Sequence, residues 1–398
     1  MLNIEVEKAF EIIDNNIKKI EEVEMVTIEN ALNRIIAEDF YAPMSNPPFN
    51  KSPLDGYCLR SEDSKENNLF DVIDTVYAGG YSKKEIKKNQ AIRIMTGAKL
   101  PDGADCVIRL EDTAIKDGKV YIDKILNKYE NFCFKGEDIK KGELLIKKNT
   151  ILNAVHLGVL GSMGQSEIKV IRKPRIGLLV TGDEIEEYKK ALSPGKIYDT
   201  NGILIGSRLK ELDLEYIKLD KVEDDYKKVS KLIKDNIKSL DLIITTGGVS
   251  IGDKDIFGDV VDDLNAKKLF WRVKMKPGTP IMFSLIGDEE KPMISLSGNP
   301  FAALVNFEIF VRRILYHLYE NPKFKMLTTS GIMKNEFNKK SKNIRYIRCI
   351  YDNGFVTIPE NKHASGMLLS MKDCNGLIEI EKGNDGLKVN DKVKIHLI

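Results

Sequence analysis

Three short apolar runs, each ending in glycine, constrain this chain most. They are "RIGLLVTG" (175–182), "LDLIITTGG" (240–248) and "PMISLSG" (292–298). A run with no polar alternation has both faces covered, the pattern of a strand buried inside a sheet. Helical periodicity fills the spaces between them. "GILIGSRLKEL" and "DDYKKVSKLIKDNI" read as helices, "EYIKLDKV" as a strand, and "PFAALVNFEIFVRRILYHLY" as a long helix with Pro300 in its first turn. Strand and helix alternate, so this block is predicted to be a doubly wound α/β domain.

The flanks have a different texture. At the start, Ile4, Phe10, Ile13, Ile17 and Ile20 recur at helical spacing, which predicts a helix over 4–20. "EMVTI" follows as a strand and "ENALNRII" as a short helix. "YAPMSNPPFNKSPLDGY" carries four prolines and is expected to be an ordered loop. Short β-like runs between Gly and Asp turns then predict a mostly β insertion. After about residue 326 the pattern is all-β, and "DNG" at 352–354 marks a hairpin because Asn-Gly suits a type I′ turn.

Composition narrows the function classes. The 62 basic and 60 acidic residues leave a net charge of +2, which argues against a nucleic-acid binder. The five cysteines are scattered without a CxxC, the usage of a reduced cytoplasmic protein. The four histidines are far apart, so a His/Cys zinc site is not expected. No signal-peptide core opens the chain and no apolar stretch is long enough to span a membrane.

In an open α/β sheet, ligands sit beyond the carboxyl ends of the strands. Three loops fall there: "TGDEI" (181–185), "TGGVSIGDKD" (246–255) and "SGNPFAA" (297–303). Gly247, Gly248 and Gly252 let backbone N–H groups approach an anion, and Ser250 adds a hydroxyl. This is neither a Walker loop nor a GxGxxG fingerprint. Asp183, Glu184, Asp253 and Asp255 would repel a bare phosphate but would ligate a Mg²⁺ that offsets it. The same acids would equally serve as helix caps. Lys276 in "MKPGTP" could hold an oxyanion or simply flank a Pro-Gly turn, and Arg272 and Lys274 add charge nearby. In the insertion, Asp55, Thr96, Glu137 and Asp138 sit on loops that would each pass for ordinary turns.

Together these pieces resemble the molybdopterin molybdenumtransferase family, the MoeA and gephyrin E-domain group. The matching stretches are "PPFNKSPLDGY", "RIMTGAKLPDGADCVI", "KGEDI", "LLVTGDEI", "IYDTN", "TTGGVSIGDKD", "MKPGTP" and "SGNPFAA", in the family's order. The resemblance implies a multidomain α/β plus β architecture. An elongated N-terminal domain (1–44 with 140–171) and a β insertion domain (45–139) would precede the doubly wound α/β molybdopterin-binding domain (172–325). A small C-terminal β-barrel (326–398) would close the chain. It also implies a homodimer whose cleft draws on both subunits.

The implied activity is insertion of molybdate into adenylylated molybdopterin, with Mg²⁺ assistance and AMP release. Thr181, Gly182, Asp199, Gly247, Gly248, Ser250, Gly252 and Pro300 would bind the pterin phosphate or adenylate. Asp183, Glu184, Asp253 and Asp255 would hold Mg²⁺. Lys276 would balance developing negative charge, and Asp55, Thr96 and Asp138 would reach in from the partner subunit. Molybdate is a tetrahedral dianion and needs donors, for which Arg345, Arg348 and Ser365 are the candidates. Further implied partners are a molybdopterin adenylyltransferase and apo-molybdoenzymes.

The chain departs from the family pattern at three places: Cys133 and Phe134 replace an arginine pair, Thr279 replaces a lysine, and Ser297 replaces a proline. Lost cations of this kind would suit a catalytically altered paralogue. A non-catalytic pterin-binding scaffold and a molybdopterin adenylyltransferase compete with the transferase reading. The adenylyltransferase would be an α/β domain standing alone.

Overall fold

The computed structural model describes residues 1–220, 224–249, 256–359 and 364–398. The chain divides into two compact units, Met1–Glu22 with Arg172–Ile398, and Val23–Ile171.

The first unit is built on a seven-stranded sheet. Its order is Leu2–Ile4, Lys267–Val273, Met282–Ile286, Lys291–Leu296, Leu242–Thr246, Ile176–Val180 and Tyr216–Lys218. The three glycine-ended runs form adjacent parallel strands at its heart. All five residues of Ile176–Val180 and all five of Leu242–Thr246 are buried, as two covered faces require. Met282–Ile286 runs antiparallel to both its neighbours, so the sheet is mixed. Helices Tyr226–Asn236 and Phe257–Asp263 bring Val229, Ile233, Val260 and Val261 onto one face.

One expectation for the N-terminus is corrected. The predicted 4–20 helix spans only Val6–Asn16, and Ile4 ends an edge strand paired with Lys267–Val273. By that pairing residues 1–22 pack with the α/β block in one compact unit. Strand pairing outranks helical periodicity here because the Leu2–Ile4 backbone is satisfied by the sheet. The long C-terminal helix also has a break. Pro300–Asn306 and Arg312–Tyr319 are joined by a π-helical turn, Phe307–Val311. Glu308 in that turn is fully buried and accepts from Arg208 Nε at 2.8 Å and Arg312 Nη1 at 2.9 Å.

The C-terminal strands Leu327–Met333, Ile344–Asp352, Phe355–Thr357, Gly376–Ile380 and Lys392–Leu397 close into a small barrel, with Ile344–Asp352 pairing Gly376–Ile380. The predicted hairpin turn is present, with Asn353 at φ 45° and Gly354 at φ 87°.

The second unit contains a six-stranded sheet built from strands between Gly56 and Tyr121. Val23–Thr27 pairs with Glu167–Ile171 as a separate two-stranded ribbon. The expected helix at "ENALNRII" is only the 3₁₀ turn Ile28–Asn30, and Ile35 and Ile36 make isolated β-bridges. Among the described residues, no helix is long and apolar enough to cross a membrane.

Candidate functional site

The three glycine-ended strands deliver their loops to one place. Gly247 donates its N–H to the Leu296 carbonyl at 3.3 Å, and Thr181 donates its N–H to Thr246 O at 3.1 Å. Gly247 has φ +94°, and a Cβ on it would lie 2.5 Å from the Thr181 carbonyl oxygen. Only glycine fits that crossing. The loops surround a cavity of about 880 Å³, whose walls include Thr181, Gly182, Glu184, Asp199, Gly247, Gly248 and Pro300. Two buried polar atoms on this wall, Asn201 Oδ1 and Thr246 Oγ1, have no hydrogen-bond partner among the described residues. Buried polar groups are normally paired, so both are available to a bound ligand.

The acids differ in how free they are. Asp199 N-caps the Thr200–Glu211 helix by accepting from Gly202 N–H at 2.7 Å, and its other oxygen accepts from Lys218 Nζ at 2.9 Å. Both of its oxygens are therefore engaged. Asp183 and Asp224 each accept the other's backbone N–H, at 3.1 and 3.2 Å. Asp224 lines the cavity beside Glu184 and was not singled out from the sequence, where it reads as the start of a helix. Ser250, Gly252, Asp253 and Asp255 lie outside the described residues. Among the described residues, no group of three or more His, Cys, Asp or Glu stands close enough to hold a metal.

A second cavity, of about 670 Å³, shares Pro280, Ser297 and Asn299 with the first. Lys276, Lys339, Arg345 and Arg348 line it, and among the described residues no carboxylate does. None of these four cations has an ion-pair partner among the described residues. Arg345 stacks over Phe337 at 5.5 Å, its Nε is buried without a partner, and burial holds its pKa below the usual value. Arg348 is 1% exposed, and burial pushes its pKa down to about 10. Its donors reach Met367 O at 2.5 Å, Ser370 Oγ at 2.7 Å and Ala364 O at 3.0 Å, and its guanidinium lies 3.7 Å above the Phe301 ring. Arg348 thus braces the loop carrying Ser365, whose carbonyl accepts from Phe301 N–H at 3.0 Å.

Asp55, Thr96 and Asp138 belong to the second unit. Asp55 Oδ1 accepts from both the N–H and the hydroxyl of Thr96, each at 2.7 Å. The Thr96 hydroxyl, then its amide, hold the Asp55 carboxyl below the ordinary carboxylate range. Asp138 accepts from Asn46 Nδ2 at 3.0 Å. Lys51 bridges to both Lys99 and Cys133, so the three loops lie side by side.

The departures from the family pattern have local accounts. Phe134 packs 4.9 Å from Tyr129 and 4.8 Å from Phe132 as part of an aromatic trio. Thr279 Oγ1 donates to Met275 O at 2.5 Å, tightening its own turn. Ser297 is 3% exposed at the wall common to both cavities. Lys274, a nearby cation, is paired with Glu5 at 2.9 Å.

Comparison with known proteins agrees with this architecture. Residues 4–164 match the MoeA N-terminal region (domain I and II), 177–317 a probable molybdopterin binding domain, and 330–398 the MoeA C-terminal region (domain IV). A molybdopterin molybdenumtransferase of Staphylococcus epidermidis is 34% identical over 382 residues, covering 94% of this chain and 90% of that protein. One from Staphylococcus aureus is 33% identical over 380 residues, with the same coverage of each. The solved structure of a molybdopterin biosynthesis MoeA protein from Pyrococcus horikoshii superposes with a TM-score of 0.85 at 30% identity, covering 99% of each chain. With all three regions matched in order and relatives this similar over nearly its full length, the chain belongs to the molybdopterin molybdenumtransferase (MoeA) family.

Proposed function

We propose that this protein acts in molybdenum cofactor biosynthesis, inserting molybdate into adenylylated molybdopterin with cleavage of the adenylate and release of AMP. The observation that carries this reading is the pair of adjoining cavities. One is walled by the glycine-ended loops, and the other by four cations with no carboxylate among the described residues. A nucleotide-linked pterin phosphate suits the first and a tetrahedral dianion suits the second. Their shared wall would bring molybdate to the pterin.

In this reading Thr181, Gly182, Gly247, Gly248 and Pro300 cradle the phosphate, and Ser250 and Gly252 extend the cradle. Asp199 shapes the wall as a helix cap. Lys276 stabilises negative charge as the phosphoanhydride breaks. Arg345 and Ser365 receive molybdate, and Arg348 contributes charge while holding the Ser365 loop. The described carboxylates do not by themselves make a cation site. The Mg²⁺ reading therefore rests on Glu184 and Asp183 acting with Asp253 and Asp255, and Mg²⁺ there would offset phosphate charge.

We also propose a cytoplasmic homodimer in which Asp55, Thr96 and Asp138 complete the site of a partner subunit. The Ala154–Ser162 helix supports dimerisation: it is mostly apolar, yet only Leu160 is buried and Val155 is 73% exposed. An apolar face of this kind calls for a partner surface. Further partners in this scheme are an upstream adenylyltransferase and the apo-molybdoenzymes.

The deciding assay supplies adenylylated molybdopterin, Mg²⁺ and molybdate to the purified protein and follows AMP. Molybdate-dependent AMP release is expected. Substrate binding with no such release would replace the enzyme by a binding protein. For the shared site, inactive Asp55→Ala and Glu184→Ala chains are mixed under conditions that exchange subunits. Partial recovery of activity is expected, and none at all would refute the shared site.

A further inference from the structure

Lys276 ends the short strand Met275–Lys276, paired with Arg345 on the barrel strand, and leads into the turn Pro277-Gly278-Thr279 on the wall of the cation-lined cavity. How firmly that turn is held bears on Lys276, because loop and side-chain freedom lower the value of a lysine as an anion ligand. The Thr279 hydroxyl ties the turn to Met275 at 2.5 Å, and Val273 donates its N–H to the Thr279 carbonyl at 3.1 Å. A side-chain anchor comes from a different element: Asn306, the last residue of the Pro300–Asn306 helix.

Asn306 is 0% exposed, and its Nδ2 donates to the Gly278 carbonyl at 3.0 Å. A Cβ on Gly278 would lie 2.2 Å from Asn306 Oδ1, and Gly278 sits at φ +91°. Two constraints, the left-handed backbone and the carboxamide pressed against its Cα, therefore require glycine at 278. Asn306 Oδ1 has no hydrogen-bond partner among the described residues. Burying a half-satisfied carboxamide costs free energy. The polar group is explained if the bond to Gly278 does something packing alone does not.

We propose that Asn306 is a positioning residue for oxyanion binding: it clamps the Gly278 carbonyl and so fixes the Lys276 ammonium at the cavity beside Arg345. The same helix begins at Pro300 in the wall of the larger cavity, and Asn299 before it lines both cavities. The helix thereby sets the glycine loop's neighbour at one end and the lysine turn at the other. This inference rests on the reading of the smaller cavity as the molybdate site.

The test is a double-mutant cycle on the full-length protein, with molybdate and sulfate binding followed by calorimetry and the molybdate KM and kcat from AMP release. Asn306→Ala is expected to weaken molybdate binding about tenfold and raise KM correspondingly, and to lower kcat as well, because a displaced Lys276 also loses its hold on the charge of the breaking phosphoanhydride. In a Lys276→Ala background the same substitution is expected to change binding less than twofold, because the clamp acts through Lys276. An undiminished Asn306→Ala effect without Lys276 would overturn the clamp and leave the anion site standing. Lys276→Ala binding molybdate like the wild type would overturn both. If Asn306→Ala does not fold, Asn306→Leu, which keeps the branching at Cγ and removes the donor, is put through the same cycle with the same outcomes.

Discussion

Lys276 and Arg345 stand directly in register on neighbouring parallel strands, Met275–Lys276 and Ile344–Asp352. Side chains in register project on the same face, with strands about 4.8 Å apart. Two cations so placed repel each other, and among the described residues no carboxylate lines the cavity beside them. A bound oxyanion turns that repulsion into attraction. The pairing joins a strand from the α/β block to the barrel's sheet, so the cavity exists only when both are folded.

Replacing Arg345 by alanine removes a charge-assisted donor. Such bonds contribute about 1.5–3 kcal/mol, or roughly 10- to 150-fold in affinity. Calorimetric titration with molybdate is expected to show a loss of that size, with sulfate competing in the wild type and added salt weakening both. An Arg345→Ala protein with wild-type affinity would show that molybdate binds elsewhere.

The Asp55 carboxyl is held low by two bonds from Thr96, its hydroxyl first and its amide second. A depressed folded-state pKa favours the folded state above the unfolded pKa, and this contribution fades as pH falls through the folded value. Thr96→Val removes the hydroxyl, so the Asp55 pKa should rise toward the ordinary carboxylate value. The acid limb of the pH–rate profile should move up with it. A carbon-detected NMR titration reads the first shift directly, and an unmoved Asp55 resonance would rule out Thr96 as its cause.

Gly247→Ala would place a methyl 2.5 Å from the Thr181 carbonyl at a backbone angle that alanine tolerates poorly. The strain costs roughly 1–3 kcal/mol. Because the loop can relieve it by shifting away from Thr181, the protein should stay folded and lose binding of AMP or the adenylylated pterin. Equilibrium dialysis with labelled AMP alongside a thermal melt separates the two effects. Unchanged nucleotide binding would remove this glycine from the cradle.

Glu308 carries no expected chemistry, yet it is fully buried between Arg208 and Arg312. Breaking a buried ion pair from one side leaves uncompensated charge and costs about 3–5 kcal/mol. Glu308→Ala should therefore lower unfolding free energy by that amount in urea denaturation. A loss below about 1 kcal/mol would mean that the two arginines find new partners when the carboxylate is gone.

The sequence determined the strands buried on both faces. Ile176–Val180, Leu242–Thr246 and, past its first residue, Lys291–Leu296 were legible because a strand covered on both faces needs no alternation, and each ends in a small-residue loop. The Asn-Gly hairpin was legible for an equally local reason, its positive φ angles. The motif order carried the family. Contacts between distant segments were not legible. Residues 1–22 joined the α/β unit because Leu2–Ile4 found a hydrogen-bonding edge more than 260 residues downstream, which no local period encodes. Asp224 reached the cavity wall through packing, although its neighbours read only as a helix start. Arg348, an expected anion donor, commits both of its Nη groups to the loop that carries Ser365. Local chemistry names the residues able to bind an anion, but hydrogen-bonding capacity is finite. Only the folded chain decides which of those donors are already taken by its own backbone.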